Sequence, residues 1–144
     1  MKKLLFVATL LLGTLTLSAK DKVIELSELP KSAQSFLSTN YSKDKVSTVT
    51  MEQEVFSKEY KVVLASGIKV KFDKNGDWTQ VECKRNGQVP ASIVPAYVAN
   101  YVKSKFPSSS ITKIEQENKS VEVELDNNVE LKFNSKGELV KIDN

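Results

Sequence analysis

The chain has 144 residues, of which 21 are basic, 18 are acidic and none is histidine. The absence of histidine excludes Ser-His-Asp and Cys-His catalysis and every zinc site with an imidazole ligand. A net formal charge of +3 without a clustered basic run argues against a nucleic-acid-binding protein. Cys83 is the single cysteine, so no disulfide can form within the chain.

The first nineteen residues have the pattern of a secretory signal peptide. Two lysines precede an apolar run from Leu4 to Leu17, and Ser18-Ala19 offers small residues for cleavage. A transmembrane anchor is the alternative, but the run is shorter than the ~20 residues that a helix needs to cross a bilayer. We therefore predict export to the periplasm or the extracellular space, removal of residues 1–19, and no membrane span in the mature chain.

The rest of the chain carries an internal repeat. At an offset of 61 residues, the equivalent pairs include Phe72 and Phe133, Gly76 and Gly137, and Trp78 and Leu139. At an offset of 65 residues, they include Pro30 and Pro95, and Tyr41 and Phe106. We predict a first repeat over residues 20–84 and a second over residues 88–144, with a linker at residues 85–88.

Each repeat opens with a predicted amphipathic helix. In the first repeat, Pro30 is followed at spacings of three and four by apolar residues, namely Ala33, Phe36, Leu37 and Tyr41. In the second repeat, Pro95 occupies the same place, and the apolar stripe consists of Val94, Val98, Tyr101, Val102 and Phe106. Both prolines suit the first helical turn, where a backbone N–H is not needed, and Pro107 ends the second helix.

Each helix is followed by four segments in which apolar and polar residues alternate, as in half-buried strands. The turn signals between them are Ser66-Gly67, Asn75-Gly76, Asn127-Asn128 and Lys136-Gly137. The sequence therefore predicts an α+β fold. It is a tandem repeat of a helix plus a four-stranded antiparallel meander, forming one curved sheet with helices packed on one face.

The last hairpin of each repeat has a predicted register. A two-residue turn at Asn75-Gly76 pairs Phe72 with Thr79, and the same turn at Lys136-Gly137 pairs Phe133 with Val140. In this register Trp78 and Leu139 point to the face of the sheet that the helices leave open.

The open face of the predicted sheet is the candidate functional surface. Its outward positions are basic in the first repeat and mostly acidic in the second, and complementary charge steers protein partners. Tryptophan is a preferred residue at the centre of interfaces. The predicted partner-binding residues are Lys61, Lys69, Lys71, Trp78, Glu124, Glu130 and Leu139. The alternative is that these are ordinary solvated strand residues that form cross-strand ion pairs.

No motif indicates catalysis or metal binding. The segment from Asp73 to Asp77 has some features of a calcium loop, but its glycine is fourth rather than sixth, and no acid stands at the twelfth position. A hairpin turn accounts for the same residues. Two carboxylate pairs, Glu52/Glu54 and Glu115/Glu117, have no cleft around them in the sequence pattern. We therefore predict no catalytic residue, no metal and no cofactor.

The repeated motif resembles the PepSY-like family of small exported bacterial proteins. It consists of an apolar alternation that runs into Phe72-Asp73 and continues through Gly76 to Trp78, and its second copy covers residues 128–139. The resemblance extends from about Ser27 to Asp143 and implies an architecture similar to that of the beta-lactamase inhibitory protein, in which the helices pack on the convex side of one curved sheet. It supplies no catalytic residues. This chain lacks the disulfide found in each unit of that inhibitor.

These observations predict an exported, non-enzymatic protein-binding module that acts through the open sheet face. The predicted partner is an envelope or extracellular protein, and the resemblance implies inhibition or regulation of an envelope enzyme such as a peptidase. Two alternatives stay open. One is a small-ligand carrier with a pocket between helix and sheet, and the other is a structural envelope protein with no specific partner. The sequence does not determine the oligomeric state.

Overall fold

A computed structural model describes residues 21–144, so the predicted signal peptide at residues 1–19 lies outside the described residues. The helices are α1 (Lys31–Asn40) and α2 (Ala96–Lys105), each preceded by a 3-10 turn, Leu26–Glu28 and Ala91–Ile93 respectively. The strands are β1 (Asp21–Val23), β2 (Val46–Gln53), β3 (Lys58–Leu64), β4 (Lys69–Phe72), β5 (Trp78–Glu82), β6 (Ile111–Glu117), β7 (Ser120–Leu125), β8 (Glu130–Phe133) and β9 (Leu139–Asp143).

Within residues 21–144 the strands form one nine-stranded antiparallel sheet, in sequential order from β1 to β9. The predicted α+β fold with a single open sheet is confirmed. The short edge strand β1 was not predicted, because three residues are too few to show an alternation. Val81 pairs with Ile114 where β5 meets β6, so the sheet continues across the middle of the chain.

Both helices begin immediately after a proline. Pro30 precedes α1 and Pro95 precedes α2, and the fixed φ of proline suits the start of a helix. Each helix buries two residues that are four positions apart and therefore lie on one face, namely Ala33 and Leu37 in α1 and Val98 and Val102 in α2. The two predicted helices are confirmed at these positions.

The core contains a row of buried aliphatic side chains that crosses seven adjacent strands. Its members, in order from β2 to β8, are Val49, Val62, Val70, Val81, Ile114, Val123 and Leu131. Each is no more than 4% exposed. Burial of one such side chain stabilises the fold by roughly 1.5–3 kcal/mol. This row fixes which face of the sheet is apolar, and the opposite face stays open.

The predicted two-residue turns are wrong. Asp73 N–H donates to Asp77 O at 2.9 Å, so the loop between β4 and β5 has three central residues and ends in Gly76 at a φ of +87°. Phe72 therefore pairs with Trp78 rather than with Thr79. Thr79 is the extra residue of a β-bulge, which restores the predicted pairing of Val70 with Val81.

The second half repeats this arrangement. Asn134 N–H donates to Glu138 O at 2.9 Å, Gly137 has a φ of +83°, and Phe133 pairs with Leu139. The predicted pairing of Phe133 with Val140 is therefore also wrong, because Val140 lies at a register shift.

The bulges turn Trp78 and Leu139 to the helix side of the sheet. Directly paired residues share a face, and both Phe72 and Phe133 are buried there. The predicted position of Trp78 and Leu139 on the open face is wrong. The prediction assumes an alternation without a bulge. A bulge adds one residue to the strand, and this extra residue moves every later side chain to the other face.

Candidate protein-binding face

Two rows of side chains, all polar except Val63, cross the open face of the sheet. The central row, from β3 to β8, consists of Lys61, Lys71, Gln80, Glu115, Glu122 and Lys132. The outer row, over the same strands, consists of Val63, Lys69, Glu82, Lys113, Glu124 and Glu130. Each row follows from strand register, since directly opposite residues on adjacent strands point to the same face.

The structure brings five of the seven predicted residues to this face: Lys61, Lys69, Lys71, Glu124 and Glu130. Gln80 and Glu115 were not among the predicted residues, because their position depends on the pairing of β5 with β6, which joins the two halves. Glu122 and Lys132 share the alternation of Glu124 and Glu130 and could have been selected on the same pattern.

Like charges stand directly opposite one another in both rows. Lys61 faces Lys71 across β3 and β4, and Glu115 faces Glu122 across β6 and β7. In the outer row Glu124 faces Glu130. Opposite charges at such positions stabilise a sheet, and like charges destabilise it. The open face therefore combines these three unfavourable pairings with favourable ones, in which a lysine lies directly opposite a glutamate, namely Lys69–Glu82, Glu82–Lys113, Lys113–Glu124 and Glu122–Lys132.

The salt bridges within residues 21–144 do not join neighbouring strands of this face. Between residues in the described part of the chain, ion pairs join Lys113 to Glu115 at 3.7 Å and Lys141 to Asp143 at 3.3 Å, and each pair lies within one strand. None of the five predicted charges on this face takes part in them. Opposite charges are also direct neighbours on this face, as in Lys69–Glu82 and Glu122–Lys132, so the alternative of ordinary solvated strand residues stays open.

A polar groove of about 320 Å³ runs along the central row. Gln80 lies in its wall and is only 9% exposed, because Lys71 and Glu115 flank it on the adjacent strands. No other residue within 21–144 forms a hydrogen bond with the Gln80 side chain. Within residues 21–144 the buried side-chain polar atom that lacks a partner is Tyr41 Oη, so the Gln80 amide is reached by solvent in the groove and can donate to and accept from a bound partner in its place.

Trp78 lies instead in a groove of about 510 Å³ beside α1. Its ring centroid is 6.3 Å from that of Phe36, and Phe36 also contacts the edge of Phe72 at 5.7 Å. Gln116 Nε2 donates to Trp78 O at 2.9 Å and so ties β6 to this position. Trp78 is half-buried and stabilises the packing of α1 on the sheet.

Leu139 has the equivalent place in the second half. It is half-buried against the core on the helix side, close to Phe133, its direct partner on β8. The ring of Phe133 is in turn contacted by Tyr97 and Tyr101, with centroid distances of 5.6 Å and 5.7 Å. Leu139 therefore completes the packing under α2.

The carboxylate of Asp73 closes a turn. Its Oδ1 accepts hydrogen bonds from Asn75 N–H at 2.9 Å and Asp77 N–H at 3.0 Å. In the second half the amide Oδ1 of Asn134 accepts the equivalent two bonds from Lys136 and Glu138, both at 2.9 Å. An uncharged amide serves equally well there, so turn geometry explains the residue. Within residues 21–144 no group of three or more His, Cys, Asp or Glu side chains could hold a metal ion.

Cys83 is half-buried at the end of β5, where its N–H donates to Thr112 O at 2.8 Å. Burial, with a smaller contribution from the charge of Glu82, raises the pKa of the Cys83 thiol. A raised pKa lowers the fraction of reactive thiolate at neutral pH. The position is that of a packed structural residue.

A sequence profile of the family described as "Putative beta-lactamase-inhibitor-like, PepSY-like" matches residues 15–61 and residues 58–141. The chain belongs to this family. No curated protein matches the chain. Among residues 21–144 no helix has the length and apolar character needed to cross a membrane.

Three solved structures of Bacteroides proteins share the fold of this PepSY-like chain. One is a "putative calcium-regulated periplasmic protein" from Bacteroides thetaiotaomicron, with a TM-score of 0.82 and 40% identity over 86% of this chain and 97% of that chain. The second is a "putative periplasmic protein" from Bacteroides vulgatus, with a TM-score of 0.84 and 37% identity over 88% and 99% of the two chains. The third, also from Bacteroides vulgatus and described as "of unknown function", has a TM-score of 0.81 and 30% identity over 86% and 99%.

All three neighbours are periplasmic proteins. They confirm the predicted periplasmic or secreted localisation of this chain.

Proposed function

We propose that this PepSY-like protein is an exported, non-enzymatic binding module whose open sheet face contacts an envelope or extracellular protein. The observation that carries the proposal is the set of like charges placed opposite one another in the two rows, as in Lys61–Lys71 and Glu124–Glu130. A partner with the complementary pattern of charge would relieve these contacts. Natural sequences retain locally unfavourable pairings mainly where function needs them.

The proposed contact residues are Lys61, Lys69, Lys71, Glu124 and Glu130, together with Gln80 in the groove. Trp78 and Leu139 are left out because their side chains pack on the helix side. The description of the family as beta-lactamase-inhibitor-like supports inhibition of an enzyme as the form of binding. We propose an envelope enzyme such as a peptidase as the target, which is what the resemblance to the PepSY-like family implies.

We also propose that the two halves are a tandem repeat of one helix-plus-four-strand unit. The order of elements from α1 to β5 recurs from α2 to β9. The register shifts recur at equivalent places, after Val46 and Ile111 and again near Thr79 and Val140.

Calcium regulation, which the description of one neighbour states, is not part of this proposal. The acidic loop between β4 and β5 uses Asp73 to close its turn, and its counterpart in the second half does the same with an amide.

The test is affinity capture from the organism's own envelope with the mature chain, compared with a double variant, Lys61→Glu with Lys71→Glu. A matched control is Lys43→Glu, an exposed charge outside the sheet. We expect a discrete set of proteins that the mature chain and the control capture and that the double variant loses. Capture of the same proteins by all three chains would refute the role of the open face.

A small-ligand carrier is the second candidate. The supporting observation is a mainly apolar groove of about 310 Å³ between α2 and the start of β6, with Val89, Val102 and Phe106 in its walls. The groove is open to solvent, whereas pockets for small ligands usually enclose most of the ligand surface. A saturable rise in thermal stability with apolar ligands such as long-chain fatty acids would favour this candidate.

A further inference from the structure

The hairpin that joins β2 and β3 ends in two apolar side chains that contact almost nothing in the structure. Gln53 pairs with Lys58, and Glu54 N–H donates to Ser57 O at 2.9 Å, so Val55 and Phe56 are the central residues of a two-residue turn. Val55 is 86% exposed and Phe56 is 96% exposed. We call residues 52–59 the arm and Val55 and Phe56 its tip.

These residues are a poor choice for a turn. Tight hairpin turns favour Asn, Asp and Gly, which adopt a positive φ at low cost. The hairpin between β6 and β7 follows this rule, with Asn118 and Lys119 at φ values of 50° and 68°. Neither Val55 nor Phe56 has a positive φ. The tip therefore has neither residues that favour a tight turn nor burial of its apolar side chains. An unfavourable choice of residues that nothing else in the fold compensates indicates a functional role.

The arm is also longer than its counterpart. Val49 and Ile114 are equivalent members of the core row, and the last paired residues before each turn are Glu54 and Glu117. The first hairpin thus extends five residues beyond the core row and the second extends three. At about 3.4 Å per residue, the additional two residues carry the tip about 7 Å further out. On the β4 side the ladder stops at Tyr60, which pairs with Phe72, so the arm projects past its neighbour.

The face of the arm that continues into the open face is acidic, whereas Lys58, the one basic residue of the arm, pairs with Gln53 on its other face. Glu52 and Glu59 are directly opposite each other on the open-face side of the arm, and Asp21 on β1 pairs with Glu52. Glu59 also lines the polar groove of the open face. The exposed aromatic ring therefore stands at the end of an acidic segment that continues into the charged rows.

We propose that the tip is an anchor that inserts Phe56, with Val55 beside it, into an apolar pocket on a partner protein whose rim is basic. An aromatic side chain that becomes buried in a pocket of the partner is a typical interface hot spot. A basic rim matches Glu52 and Glu59 and speeds encounter with the correct partner. This contact site is separate from the open face and adds a second element to the proposed binding function.

A lipid surface and a second copy of the chain fit these observations less well. Anionic lipids repel the acidic side chains of the arm, and two apolar side chains provide little anchoring to a membrane without a basic segment. A second copy offers the apolar groove beside α2, with Lys103 at its edge, but this groove lies at the opposite end of the sheet. Such a head-to-tail contact generates rings or open chains of molecules rather than the two-fold dimer that is commonest among small oligomers.

The first step of the test is photo-crosslinking in the native envelope, with p-benzoylphenylalanine in place of Phe56. The matched control carries the same group in place of Lys119, at the tip of the other hairpin. The proposal requires an adduct with one defined protein at position 56 that is missing at position 119. Adducts with lipid, adducts with the chain itself, or identical adducts at the two positions would each overturn it.

The second step measures the affinity for the purified captured protein by calorimetry and the association rate by surface plasmon resonance. Phe56→Ala should weaken binding by about 30-fold or more, the size typical of a hot spot. Glu52→Lys with Glu59→Lys should lower the association rate and flatten its dependence on salt. Unchanged thermal unfolding shows that the fold is intact, which is expected because Phe56 packs on nothing. Binding that tolerates Phe56→Ala would refute the anchor.

The variant Lys61→Glu with Lys71→Glu separates this inference from the proposed role of the open face. If it leaves binding unchanged while Phe56→Ala abolishes binding, the anchor is supported and the open-face proposal fails. If the effects are reversed, the open face is supported and the anchor fails.

Discussion

In the first half of the molecule, Phe36 on α1 packs against Phe72 and Trp78, whereas in the second half Tyr97 and Tyr101 on α2 both pack against Phe133. Each half therefore fills the same space under its helix with a different set of aromatic rings. The backbone devices around these rings are shared. A proline precedes each helix, and a three-residue loop followed by a bulge ends each half.

The exposed surfaces of the two halves differ far more than their backbone arrangements do. The open face is basic on β3 and β4 and mainly acidic on β6 to β8, and only the first half carries a long arm with an exposed aromatic tip. The two halves share the features that support folding, and they differ in the side chains that are exposed to solvent. The proposed binding function therefore rests on the features that the two halves do not share.

The largest expected effect concerns the two central rings. Phe72→Ala and Phe133→Ala should each lower the free energy of unfolding by about 3–5 kcal/mol, because each leaves a cavity in a fully buried site. Urea denaturation monitored by circular dichroism measures both. A loss below about 1 kcal/mol in either variant would show that the stability of that half does not depend on its central ring. The two halves would then not be stabilised in the same way.

The two turn glycines should differ. Both have positive φ, which costs an alanine about 1–2 kcal/mol. A Cβ on Gly76 would also clash with Ser32 Oγ and come within 2.7 Å of Pro30 Cβ, whereas one on Gly137 would meet the ring of Tyr97 at 3.1 Å. Gly76→Ala should therefore cost about 2–4 kcal/mol and Gly137→Ala about 1–2 kcal/mol in the same denaturation assay. Equal losses would contradict the closer contact of α1 with its turn.

The turn carboxylate offers a finer test. Asp73→Ala should cost about 1–2 kcal/mol, because two backbone N–H groups lose their acceptor. Asp73→Asn should be close to neutral, since Asn134 performs the same role in the second half.

Calcium should leave the melting temperature of the wild type and of both Asp73 variants unchanged. A calcium-dependent rise in the wild type that Asp73→Asn abolishes would replace the turn explanation with a metal site.

The smallest effect concerns Tyr41, whose counterpart is Phe106. Within residues 21–144 the buried Tyr41 Oη has no hydrogen-bond partner. Burial, with smaller contributions from Cys83 and Asp44, raises the pKa of Tyr41 above its usual value. Tyr41→Phe should therefore raise the free energy of unfolding by roughly 0.5–1 kcal/mol at neutral pH.

The pH dependence of that variant follows from the direction of the shift. A tyrosine whose pKa is raised in the folded state loses its proton first in the unfolded chain, near pH 10. The wild type should therefore lose stability as the pH rises above about 10, and Tyr41→Phe should lack this component. Denaturation at pH 8 and at pH 10.5 measures the difference, and parallel losses in the two proteins would contradict it.

The sequence by itself determined the helices, the strand segments and the family. Pro30 and Pro95 set the helix starts, the alternation in segments such as Val121–Leu125 set the strands, and each of these signals acts between residues that are close along the chain. The charges on the open face were also predictable, because charged residues alternate with buried apolar residues along each strand. Examples are Lys69 and Lys71 on either side of Val70, and Glu124 beside Val123.

Only the tertiary structure decided the face of Trp78 and Leu139, the position of Gln80 and the exposure of Phe56. The bulge at Thr79 shifts the strand register by one residue. It allows the side chain of Trp78 to pack against Phe36, which lies 42 positions earlier in the chain. Gln80 is nearly buried because β5 pairs with β6, which places Glu115 beside it. Local patterns reveal which side chains alternate, but the packing of distant elements decides which side each one faces.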